Sequence, residues 1–177
     1  MNTVFARMFR AARLDPSLYD EVGADDEATL EAGAIVLFAS VAAELGMPES
    51  IAGVALLTEA TAGLFLWGMW ALSCYVIGAK MLPEPQTRTG PARLLRAIGY
   101  SSSPGCLAVL GGIPVIGPLV GPIAQLWVFV AMVIAIRQAL DYTSTSRAVA
   151  VLVLGFILQV VVGTISVMIA HTLGVSV

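Results

Sequence analysis

PLVGPIAQLWVFVAMVIAIRQAL (Pro118–Leu140) and RAVAVLVLGFILQVVVGTISVMIAHTL (Arg147–Leu173) decide the fold, with only the turn DYTSTS (Asp141–Ser146) between them. Each run exceeds the roughly 20 apolar residues a helix needs to cross a hydrocarbon core of about 30 Å. Arg137, Asp141 and Arg147 gather at the junction, and the turn is rich in residues that cap helices. Two apolar helices joined by such a turn form a membrane hairpin.

The rest of the chain has the same character. Of 177 residues, 58% are hydrophobic and 12% charged, with a mean hydropathy of +0.91. Soluble domains carry about 25% charge, and so short a chain cannot enclose this much apolar surface. The sequence therefore predicts an all-α integral membrane bundle. Residues 1–30 form a cytoplasmic amphipathic and acidic segment, and residues 31–177 form a five-helix transmembrane domain. Going backwards from the hairpin, the third apolar segment is Ala92–Gly112, interrupted by Pro104-Gly105 and carrying Arg93 and Arg96 in its first turns. It either spans with a kink or re-enters. The second, Ile51–Leu82, is 32 residues long, about 48 Å if helical throughout, so it must tilt or protrude. The first runs from about Glu31 to Gly46, and Met47-Pro48-Glu49-Ser50 turns the chain.

Ahead of these, Val4, Phe5, Met8, Phe9 and Ala12 share one side of a helical wheel, and Arg7, Arg10 and Arg13 share the other. That pattern suits a short helix lying in the membrane interface. The arginines interrupt any apolar stretch of the kind a cleavable signal needs. Asp15-Pro16 reads as a helix start, with Asp capping and Pro preset for the first turn. Seven of the twelve acidic residues fall between Asp15 and Glu31. The run lacks the spacing of a calcium loop and reads as a solvated, capping acidic face.

Charge fixes orientation. With the N-terminus in the cytoplasm and five crossings, all nine lysines and arginines fall on the cytoplasmic side. The Met47–Ser50 turn, the Gly111–Gly117 turn and the C-terminal tail contain none. Positive residues concentrate on the cytoplasmic side, so the topology is N-in, C-out, and a re-entrant third segment would spoil the count.

Little in the sequence suggests catalysis. No catalytic constellation, metal-ligand spacing or cofactor motif is present, and no basic tract suits nucleic acid; the expectation is a protein that is not an enzyme and has no cofactor. Cys74 and Cys106 read as small buried hydrophobes. Glu59, Gln125 and Gln159 are the intramembrane polar candidates: Glu59 sits at a water-facing interface or in a functional site, and the amides bond between helices. Gly117 with Gly121, and Gly99 with Ser103, have the small-xxx-small spacing of close helix contacts. Trp67 and Trp70 should pack between helices, and Tyr142 should sit at the inner boundary.

Four stretches carry a resemblance: ARLDPSLYDEV (Ala12–Val22), YVIGAKMLPEPQT (Tyr75–Thr87), LLRAIGYSSSPG (Leu94–Gly105) and AIRQALDYTSTSRA (Ala135–Ala148). With the five-segment layout, they resemble the Yip family of multi-spanning membrane proteins, named for interaction with Ypt/Rab GTPases, and especially its prokaryotic members. The resemblance implies five spans, a cytoplasmic N-terminus and a short exoplasmic C-terminus. Eukaryotic relatives dock partners through a long N-terminal region, whereas about thirty residues precede the membrane here. It also implies a cell-membrane location if the source is prokaryotic and an endomembrane one if eukaryotic. No catalytic residue carries over.

The expected function is a scaffold or adaptor engaging partner proteins or lipids at its cytoplasmic face, with self-association open. Its candidate surface comprises Arg7, Arg10, Arg13, Arg88, Arg93, Arg96, Arg137, Asp141, Tyr142 and Arg147. The alternative is a small transporter or channel using Glu59, Gln125 and Gln159, although the chain shows no inverted repeat.

Overall fold

A computed structural model describes residues 2–47 and 54–172. Among these it contains helices and turns and no strand. Two short helices open the chain, α1 (Asn2–Ala12) and α2 (Pro16–Ala24), followed by α3 (Ala28–Leu45). Helix α4 (Val54–Tyr75) runs into a π-helical turn, Val76–Met81. Helix α5 (Pro91–Ser101) passes into a 3-10 stretch, Ser103–Gly112. Helices α6 (Gly117–Ala139) and α7 (Thr145–Thr172) complete the chain. Most of the Met47–Ser50 turn lies outside the described residues.

Among the described residues, four segments are long and apolar enough to cross a membrane: Ala28–Leu45, Leu56–Met81, Gly117–Ala139 and Thr145–Ile169. Their outer faces expose large apolar side chains, among them Phe65, Leu126, Phe156 and Met168. Contiguous apolar surface on this scale suits lipid rather than water.

The segment from Ala92 to Gly112 is not one α-helix. Pro104 has no N–H to continue the ladder, and the hydroxyls of Ser101 and Ser103 donate back to the carbonyls of Ile98 and Tyr100, both at 2.7 Å. Such local bonds compete with the helical ladder, and the chain tightens into 3-10 geometry. The segment nevertheless joins the two ends of the bundle. Its start meets Asp141 through Arg93, while at its far end Gly111 and Ala108 lie against Gly46 of α3, and Gly111 against Gly117 of α6. The contacts of Gly46 and Gly117 leave no room for a Cβ, so only glycine lets these backbones meet. One end of the bundle is thus an arginine pole and the other a glycine pole.

Small residues bring the helices together. Gly99 of α5 faces Ala32 of α3, where a Cβ would come within 2.7 Å of the Ala32 methyl. Gly121, by contrast, borders open space, so of the Gly117/Gly121 pair only Gly117 makes a close contact. Trp67 packs between helices and donates to the Leu95 carbonyl at 2.9 Å. The core includes Ile35, Cys74, Leu94, Ile98, Tyr100, Ile136 and Leu140.

Helix α2 begins where its sequence dictates: Asp15 accepts from the backbone N–H of Ser17 at 3.0 Å, with Pro16 in the first turn. It buries Leu18, Tyr19 and Val22 completely. Burying an apolar side chain of this size contributes about 1.5–3 kcal/mol as an upper estimate, enough to make α2 part of the fold rather than a solvated tail.

Candidate functional site

All nine basic residues and most of the described acidic ones meet at the arginine pole. Helix α1 turns Arg7 and Arg10 towards carboxylates, not towards open solvent. Arg7 reaches Glu21, Asp25 and Glu31, each at 2.9 Å. Arg10 reaches Asp15 at 2.8 Å and Glu21 at 2.5 Å. The Tyr100 hydroxyl donates to the same Glu31 carboxylate from α5. The acidic stretch is therefore not a free solvated face; it supplies the counter-ions that fasten α1 and α5 to the start of α3.

These pairs shift the groups in predictable directions. Burial works against the charge on Arg7, but its hydrogen bonds to Glu31, Asp25 and Glu21 outweigh that and raise its pKa. The Arg10 guanidinium holds the carboxyls of Asp15 and Glu21 below their ordinary range, and Arg7 does the same for Asp25. Burial pushes the Tyr19 phenol up, with the charge of Asp15 adding to it.

Helix α5 makes a second knot. Arg96 is 6% exposed and donates to Asp26 at 2.9 Å and to the Gly23 carbonyl at 2.5 Å. Arg93 bridges Asp20 of α2 at 3.1 Å and Asp141 of the α6–α7 turn at 2.9 Å. A third knot fixes the 83–90 loop. Glu84 accepts from the Thr143 N–H at 3.0 Å and hydroxyl at 2.9 Å, and pairs with Arg147 at 3.5 Å. The Thr143 N–H, followed by its hydroxyl and Gln86, holds the Glu84 carboxyl below its usual range.

Among the ten candidate surface residues, Arg96 and Tyr142 lie inside the protein. Tyr142 is a strut: its hydroxyl lies 2.9 Å from the Gly78 carbonyl and 2.7 Å from that of Leu82, where the π-helical turn ends. It supplies a donor to carbonyls that a helix C-terminus leaves without one. Arg7, Arg10, Arg93 and Asp141 are engaged in the ion pairs above. Half-buried Arg137 faces the carbonyls of Tyr142 and Thr143, both at 3.3 Å. Arg13, Arg88 and Arg147 stay exposed, as does Lys80, and Arg13 lies over the Phe9 ring. The basic surface is thus narrower than the sequence suggests, a rim around a neutralised interior.

The intramembrane candidates fall in different places. Gln125 lines a crevice between α3, the 3-10 stretch and α6. Gln159 lines a pocket between α4 and α7 with Trp70 and Ser166. Glu59 is exposed on α4. Cys74 is buried, and Cys106 lines an apolar groove between α1 and α3.

Glu84 and, apart from Asp141, the carboxylate partners of the arginines are the residues that sequence reading missed. The signal for those partners was the acidic cluster before α3, set against arginines on α1 and α5 that need counter-ions, whereas Glu84 carried no such signal.

No protein-family model matches the chain, and comparison with curated proteins and with solved structures likewise finds no match.

Proposed function

We propose that this chain is a five-span membrane protein of the Yip type, N-in and C-out, acting as a non-catalytic scaffold or adaptor whose arginine pole engages partner proteins or anionic lipid. The observation that carries this reading is the construction of that pole. Helices α1 and α2, the 83–90 loop and the 141–144 turn are tied into one platform by Arg7, Arg93, Arg96 and Glu84. Exposed Arg13, Lys80, Arg88 and Arg147 are carried on it. A rigid platform with exposed cations suits recognition of an acidic surface. Each cation near an anionic leaflet contributes about 1 kcal/mol of attraction.

Five crossings accommodate the broken third segment. Eleven α-helical residues at 1.5 Å and ten 3-10 residues at about 2.0 Å extend roughly 36 Å. That length matches a hydrocarbon core of about 30 Å.

The test places a photo-crosslinking residue at Arg88 and separately at Ser146, both exposed, in native membranes. One dominant protein captured from both sites, and lost when Arg13, Lys80 and Arg147 are changed to Gln, supports the adaptor. Anionic lipid as the dominant product, lost in the same variant, supports the lipid arm of the reading, and a second copy of the chain as the only product at both sites overturns it.

A further inference from the structure

The glycine pole contains a crevice that this function does not use. An outer chamber of about 710 Å³ is bordered by the 113–116 turn, Gly117, Pro118 and Pro122. An inner chamber of about 240 Å³ reaches Ser40, Ser102 and Val128. The two share Ala43, Ala108, Gly121 and Gln125 as walls, so they adjoin. Gln125 lies eight residues along α6 from Gly117, about 12 Å, and Val128 about 16 Å. The crevice therefore reaches about half the depth of a hydrocarbon core.

Its walls are unusual for that depth. One is the 3-10 stretch and the irregular turn after it, where backbone polar groups are less well paired than in an α-helix. Pro122 has no N–H to give the Pro118 carbonyl in α6. The amide of Gln125 and the hydroxyls of Ser40 and Ser102 add side-chain polarity. Non-helical backbone at membrane depth persists only where it is buried in protein or lines a water-filled cavity. The 3-10 stretch meets α6 where Gly111 faces Gly117 and where Gly105 faces Val128, but between these contacts Gly121 of α6 faces open space, with no atom within 4 Å of where a Cβ would stand, so the two walls do not close on each other there.

We infer that the crevice is a water-filled vestibule, admitting small uncharged hydrogen-bonding solutes from the glycine pole as far as Ser40, Ser102 and Gln125. This rests on the membrane reading above. Among the described residues that border it none is charged, which suits neutral solutes. Beyond Ser102, Ala97 to Ser101 are buried.

The test uses the full chain with Cys74→Ala and Cys106→Ala, reconstituted in liposomes and exposed to a membrane-impermeant methanethiosulfonate reagent. Thiolates react with it, and thiolates form in water. Ser102→Cys and Gln125→Cys should react within roughly tenfold of the rate of Met47→Cys at the pole surface, and Leu126→Cys on the lipid face should not react. Adding Gly121→Phe should slow Ser102→Cys at least about tenfold and leave Met47→Cys unchanged. If Ser102→Cys and Gln125→Cys are as inert as Leu126→Cys while Met47→Cys reacts, the vestibule is dry and the inference falls while the membrane reading stands. If Leu126→Cys reacts as fast as Met47→Cys, α6 is not in a bilayer and both fall. Hydrogen exchange of the unaltered protein guards against misfolded variants. Amides of 105–112 should exchange far faster than those in the middle of α7, and equal protection overturns the vestibule.

Discussion

Arg93 grips Asp141 at two points, Nη1 to Oδ2 at 3.0 Å and Nη2 to Oδ1 at 2.9 Å. The two residues are 48 positions apart, on the first turns of α5 and in the α6–α7 turn. Asp141 itself has φ 54°, a left-handed conformation that Asp tolerates better than most residues. The same guanidinium donates to the Gln138 carbonyl at 3.1 Å and to Asp20. One arginine thus ties three elements together at the pole, and its planar fork matches the carboxylate in a way that an ammonium cannot.

Arg93→Lys should therefore be nearly as damaging as Arg93→Ala. Lysine keeps the charge but loses the two-point geometry, and hydrogen bonds to charged groups are worth about 1.5–3 kcal/mol each at part-buried sites. Asp141→Asn keeps the left-handed backbone and should cost less than Asp141→Ala. A double-mutant cycle of Arg93→Ala with Asp141→Ala, read by thermal unfolding in detergent, should give a coupling of about 1–2 kcal/mol. Additive effects would show that the two residues act separately.

Glycines at different places should respond in opposite directions. At Gly99 a methyl would lie 2.7 Å from the Ala32 Cβ and 3.2 Å from its carbonyl oxygen. Gly99→Ala should cost about 1–3 kcal/mol, because α3 and α5 must move apart. Gly68 in α4 has nothing within 4 Å of its Cβ position. Gly68→Ala should be neutral or stabilise by up to about 1 kcal/mol through helix propensity. Thermal unfolding of the two variants side by side decides this, and equal shifts would refute the packing account.

How legible this was in the sequence depended on how local the signal was. Asp15-Pro16 marks the start of α2 because capping is a property of adjacent residues. Apolar length marked α3, α4, α6 and α7, since a membrane span is also a local property. The split of the third segment into α5 and a 3-10 stretch was only half visible. Pro104 and Gly105 announced a break, but what followed depended on Gly111 meeting Gly46 and Gly117. The arginines of α1 were placed on a polar face correctly, yet their partners lie 5 to 24 residues away, and periodicity cannot assign those pairs. Tyr142 looked like a boundary aromatic; its strut role needed knowledge of where Gly78 and Leu82 fold.

That strut makes its own prediction. Tyr142→Phe keeps the ring and removes the only donor that it offers to the carbonyls of Gly78 and Leu82. Leaving a buried acceptor short of a donor costs about 1–3 kcal/mol. The loss should be local: hydrogen exchange should rise in the π-helical turn Val76–Met81 and in the 83–90 loop, with α6 and α7 unaffected. Uniform exchange across the bundle would mean that Tyr142 supports the whole fold instead.

The knot around Arg7 and Arg10 should respond to acid. Hydrogen bonds from these arginines hold the carboxyls of Asp15, Glu21 and Asp25 below their ordinary values. The folded state therefore binds protons at these sites less readily than the unfolded chain does. Their contribution is complete above the ordinary carboxylate range near about 4, and it disappears as pH falls through the depressed folded values. Helices α1 and α2 should consequently loosen first below about pH 4, while the apolar middles of α6 and α7, which carry no carboxylate, hold. Hydrogen exchange or limited proteolysis of residues 2–24 between about pH 6 and pH 3 measures this. Arg7→Gln should make the same region loose already at pH 6 and flatten its pH dependence. A variant that opens with the unaltered protein's pH profile would show that other contacts, such as Leu18 and Val22 against the core, hold these helices.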